Sequence, residues 1–213
     1  MKKFFYFLLF LCCSITVSAQ NPDSELVKKA ETGDAEAQYS LSKHYLPNTE
    51  TVSEDGMNWL TKAAESGHAE AQWNLGNAYK KGWYGTEKND EKHLYWVKKL
   101  ANHSDIEKNK DFIASAQYDL GELYYDGEHG VDKNISEYLK WEKKSADNGY
   151  YPAALSLGYY YKSEGDKKEA IYWFKKCMDM VWAERHEEEE HAFDQLRELG
   201  VTYHPADHVG HNH

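Results

Sequence analysis

The sequence predicts an all-α protein: a right-handed α/α solenoid of about four stacked helix pairs with a C-terminal capping helix. Three observations carry this expectation. Ala35-Glu-Ala-Gln-Tyr-Ser-Leu41 returns as Ala69-Glu-Ala-Gln-Trp-Asn-Leu75, as Ala114-Ser-Ala-Gln-Tyr-Asp-Leu120 and, more loosely, as Tyr151-Pro-Ala-Ala-Leu-Ser-Leu157. The leucines are spaced by 34, 45 and 37 residues, which is the period of a stacked repeat array. A second string led by tryptophan follows each copy, at Trp59, Trp96, Trp141 and Trp173. Such an array presents a long surface rather than a deep pocket.

The elements are justified in chain order. Lys2 and Lys3, the apolar run from Phe4 to Cys13 and Val17-Ser18-Ala19 read as a secretory signal peptide cleaved after Ala19. The apolar stretch is too short to span a bilayer comfortably, so no stable membrane insertion is expected after cleavage. In the first helix of each pair, Ala71, Leu75 and Tyr79 form one stripe at helical spacing. Ala37, Leu41 and Tyr45 repeat it, as do Ala116, Leu120 and Tyr124. Gly76, Gly121 and Gly158 follow the leucine directly; a mid-helix glycine costs about 1 kcal/mol, so its recurrence predicts a close helix crossing.

In the second helices, each tryptophan shares a face with the residue four later: Ala63, Leu100, Ser145 and Cys177. Gly67 and Gly149 stop two of these helices, Asn89 and Asn134 are N-cap candidates, and Pro47 breaks the first repeat. After Met180 the pattern changes. Phe193, Leu196 and Leu199 form an amphipathic set that reads as a cap, ended by Gly200. One long bent helix and two helices are both compatible with Asp166 to Leu199. The division is then 1–19 leader, 20–182 array, and 183–213 cap with a histidine-rich polar tail.

Charge narrows the partners. The whole chain carries −11; loss of Lys2 and Lys3 leaves 23 basic against 36 acidic residues, about −13. That surface repels phosphate backbones and argues against nucleic acid, whereas basic peptides or protein faces suit it. Cys177 is the one cysteine beyond the leader, so no disulfide framework is expected.

The pattern Ala-x-Ala-Gln-Tyr-x-Leu-Gly-x-x-Tyr, a glycine turn, then Trp-x-x-Lys-Ala-Ala-x-x-Gly, resembles the Sel-1-like repeat family, relatives of tetratricopeptide repeats. The resemblance covers roughly residues 24 to 180, with Ser24 to Thr32 as the second helix of a truncated leading repeat. Departures are Ser104 where the second repeat should end in glycine, an insertion over 103–113 as a loop or extra helical turn, and Cys177-Met178 in place of Ala-Ala.

The resemblance implies a concave groove lined by the first helices. Tyr39, Trp73 and Tyr118 sit two residues before the motif leucine, about 200° around the helix from the packing seam. Lys43, Asn77, Lys80, Glu122 and Tyr159 would rim the groove. An extended peptide or partner helix suits such a surface; the alternative is that the rings pack between adjacent repeats. The expected protein is an exported, non-enzymatic interaction scaffold without a cofactor, located in the periplasm or outside the cell. A secreted hydrolase akin to cysteine-rich relatives is a weaker alternative. Ser40-Leu-Ser-Lys43 matches a penicillin-recognising string, but its companion motifs are absent. Metal handling through His204, His208, His211 and His213 is the other. His186 and His191 lie five apart, about 140° around a helix, and read as a charged face.

Overall fold

The computed structural model describes residues 22–127, 130–184 and 189–203. The leader, the histidine tail and His186 lie outside the described residues. Among the described residues ten α-helices follow one another: α1 Ser24–Glu31, α2 Ala35–Tyr45, α3 Glu54–Glu65, α4 Ala69–Lys81, α5 Asp90–Ala101, α6 Ile106–Asp126, α7 Ile135–Asp147, α8 Tyr151–Ser163, α9 Lys167–Glu184 and α10 Glu189–Glu198. The pairs α2–α3, α4–α5, α6–α7 and α8–α9 are the four repeats, and each helix packs on its neighbours in sequence. This is an α/α solenoid. Between Asp166 and Leu199 the described residues hold two helices, α9 and α10, which pack on each other. From Ile106 onward the 103–113 insertion is helical, adding turns to the start of α6 with a break in helical geometry at Asn109.

Local sequence explains the ends. Asn89 accepts from the Lys92 N–H at 2.9 Å and Asn134 from the Glu137 N–H at 3.1 Å, so both predicted N-caps form. Gly67 (φ +92°) and Gly149 (φ +87°) occupy the left-handed region that terminates α3 and α7. The helix crossings are as tight as the glycine register predicts. A Cβ at Gly158 would lie 2.5 Å from the Phe174 ring, and one at Gly121 2.5 Å from the Glu142 carboxylate.

The interior is a row of clusters rather than one core. Trp173 joins Phe174, Leu157 and Ala153 with Leu196 of the cap. Trp141 joins Leu120, Ile113 and Leu100. Trp96 joins Leu75, Leu60 and Tyr39. Trp59 is only half-buried, because the cluster of Ala30, Ala37 and Leu41 beside it is small and only the short α1 precedes it. In α10 the buried register is Ala192 and Leu196; Phe193 faces outward, unlike the sequence expectation.

The motif glutamines splice one repeat to the next. Gln38, Gln72 and Gln117 donate to the carbonyls of Ala30, Ala64 and Ala101 at 3.1, 3.0 and 3.1 Å, each at the end of the preceding helix. Gln117 also accepts from Asn148 at 2.7 Å, so both halves of its amide are used. Replacing Gln117→Leu strands a buried carbonyl and should cost about 1–3 kcal/mol, read as a lowered urea midpoint. An unchanged midpoint would remove the splice from the energetics.

Candidate functional site

The aromatic register of the first helices proves to be a joint between repeats at its N-terminal end. Tyr39 is 3% exposed and packs with Ala71 and Leu75 of the next pair. Its ring lies 4.4 Å from the His68 ring, its oxygen accepts from Asn74 at 2.9 Å, and the Glu70 carboxylate stands beside it. Burial, with Glu70 beside it, pushes its pKa well up. Tyr118 uses equivalent positions of the fourth repeat: its ring is 5.3 Å from that of Tyr150, and Ser156 stands beside its hydroxyl. Burial raises its pKa to about 12. Trp73 is half-buried against the Leu100–Leu120 cluster. Of the two readings of this register, packing between adjacent repeats holds for Tyr39, which is closed to a partner, whereas Trp73 and Tyr118 stay half-buried. At Tyr39 the side of the first helix opposite its own partner is covered by the following repeat, which encloses the ring.

The rim residues divide in the same way. Asn77 is buried, its amide donating to the Trp73 carbonyl at 3.1 Å. The Lys43 ammonium lies 4.5 Å from the Tyr39 centroid. Lys80 reaches Asp119 at 3.7 Å. Glu122 and Tyr159 meet at the junction of the third and fourth repeats, lining a cleft of about 440 Å³ with Tyr125, Tyr138 and Tyr160. Tyr159 is 41% exposed and sets its ring edge-on to Phe174.

Next to this cleft lies a residue that sequence reading missed. Glu142 is 0% exposed, and neither carboxyl oxygen has a hydrogen-bond partner. Burial raises its pKa to about 10, with the Glu122 and Asp119 carboxylates adding to the effect. It is therefore a neutral acid at pH 7. Burial also raises Glu122, followed by repulsion from Asp126 and Asp119. The signal was in the tryptophan strings. The position after each tryptophan is Leu60, Val97, Glu142 and Phe174, three buried apolar side chains and one acid.

Among the described residues no group of three or more metal-ligating side chains comes together, and no helix is long and apolar enough to cross a membrane.

The comparisons agree with this architecture. The Sel1 repeat model matches residues 35–68, 69–105, 114–150 and 152–176, well over half of the chain, and the protein belongs to the Sel1 repeat family. Proteins of this family are generally protein-interaction scaffolds and bind protein partners, and their fold is typically non-catalytic. The chain is similar to a Sel1 repeat protein of Oxalobacter formigenes, at 31% identity and TM-score 0.51, over 61% of this chain and 91% of that one. It is also similar to a protective antigen of uropathogenic Escherichia coli strains that displays the SLR fold. That match has 29% identity and TM-score 0.60, over 83% of this chain but only 37% of the antigen. No curated protein sequence matches the chain.

Proposed function

We propose that the protein is an exported scaffold that holds a peptide or partner protein, of basic character, along the concave face formed by its first helices. The observation that supports this reading best is the cleft between α6, α7 and α8. There Glu122 and Tyr159 lie together with exposed aromatic surface, the arrangement in which binding energy concentrates. The reading predicts a leader removed before Gln20 and a partner seated over the third and fourth repeats.

Position-specific crosslinking in intact cells tests it. A photoreactive residue in place of Tyr159 should capture a discrete partner. The same residue in place of Tyr95, exposed on α5, should capture far less of it. Equal capture from both positions, or none from position 159, would exclude the cleft. Recovery of the protein in the cytoplasmic fraction with Met1 in place would exclude export.

A further inference from the structure

The cleft at the third repeat has a specific chemistry. Its walls carry four tyrosines from three helices: Tyr125 on α6, Tyr138 on α7, and Tyr159 and Tyr160 on α8. The Tyr125 and Tyr138 centroids are 4.9 Å apart, and those of Tyr138 and Tyr160 are 5.6 Å apart. The rings are tilted or edge-on to one another; Tyr138 is only 3% exposed, whereas Tyr125 and Tyr159, at 40% and 41%, present surface to a third group. One ring already takes a cation from the chain itself, as the Lys133 ammonium lies 4.8 Å from the Tyr125 centroid.

Charge points the same way. Glu122 lines the cleft and makes no ion pair among the described residues, and no lining residue is basic. Lys80 is held by Asp119 instead. Glu142 stands one helical turn from Tyr138 on the same face of α7, and both of its oxygens lack partners. An acid fully buried at a position that holds leucine, valine or phenylalanine in the other repeats is a local cost to the fold. Being neutral, it adds no charge to the wall, and the acid of the cleft is Glu122. The protein as a whole is at −11, so a cationic group is drawn to the site from a distance as well.

We propose that this cleft is a receptor for an arginine side chain presented by the partner. A guanidinium is planar, stacks on aromatic faces and binds a carboxylate through two parallel hydrogen bonds. In the cleft it would lie against the exposed rings of Tyr125 and Tyr159 and donate to Glu122. The inference rests on the scaffold reading above and adds the class of side chain that the partner must supply.

Calorimetric titration tests it, using the leaderless chain and a blocked octapeptide of alternating arginine and serine. The control peptide carries citrulline, which keeps the shape of arginine and lacks its charge. Wild type should bind the arginine peptide, and the citrulline peptide should bind at least about tenfold more weakly. Glu122→Gln should weaken the arginine peptide by about tenfold, and Tyr159→Ala by a further severalfold loss if it remains folded by circular dichroism. Glu107→Gln, which removes an exposed charge at the other end of α6, should change binding by less than about twofold. Equal losses for Glu122→Gln and Glu107→Gln would reduce the effect to overall charge and overturn the proposal. So would citrulline binding at arginine strength, or no binding of the arginine peptide to wild type. If position 159 still captures a partner in cells under those outcomes, the scaffold reading stands and only the arginine receptor fails.

Discussion

Trp96→Ala is expected to lower the free energy of unfolding by about 3–5 kcal/mol, the range for removing a large aromatic ring from a packed interior. Trp96 is 6% exposed, and its cluster draws on three helices and two repeats through Leu60, Leu75 and Tyr39. Its Cβ lies 3.4 Å from where a Cβ at Gly76 would sit, so the backbones are already close and cannot collapse further into the gap. Because an array is coupled through nearest neighbours, the first and second repeats should both lose stability. Urea unfolding followed by circular dichroism measures the cost. Trp59→Ala, in the smaller N-terminal cluster, should cost less. Equal stability of Trp96→Ala and wild type would remove Trp96 from the joint.

Glu142→Leu is expected to act in the opposite direction and stabilise the protein. The pKa of Glu142 rises from the ordinary 4.5 to about 10 in the fold. The folded state therefore keeps a proton that the unfolded state releases above pH 4.5, and stability falls as pH rises from there towards 10. At pH 7 the difference amounts to up to about 3 kcal/mol. Leucine stands at the equivalent position of the first repeat, so the site accepts an apolar side chain of similar size. Melting at pH 5, 7 and 9 should show a gain that grows with pH, and Glu142→Gln should reproduce the loss of pH dependence. Parallel pH profiles for wild type and both variants would contradict the buried neutral acid.

The helix pairs, their caps and their tight crossings were legible because they depend on local spacing. Gly158 against Phe174 and Asn134 at the start of α7 follow from residues only a few positions apart or from a pattern that recurs. The fate of Tyr39 was not legible. Helical rotation places its ring opposite the seam, but whether that side meets solvent or the next repeat depends on stacking, which the chain does not state locally. Glu142 was hidden for a different reason. Between Trp141 and two lysines it reads as one more surface charge, and only alignment of the four second helices reveals the apolar position it fills. Glu122 and Tyr159 were named separately; that they share one cleft depends on how α6 and α8 flank α7.

The division of the interior into separate clusters bears on how such a chain can lengthen over time. Trp96, Trp141 and Trp173 are each seated by their own pair and the adjoining units, so the demands of packing reach no further than one step along the array. The eleven or so extra residues at 103–113 illustrate the tolerance: from Ile106 they extend the N-terminal end of α6, and Leu120 still meets Trp141 as its counterparts do elsewhere. Growth by duplication of a pair, followed by drift of single positions such as 142, requires no simultaneous change in the rest of the molecule. New binding chemistry can therefore arise in one unit while its neighbours keep the frame.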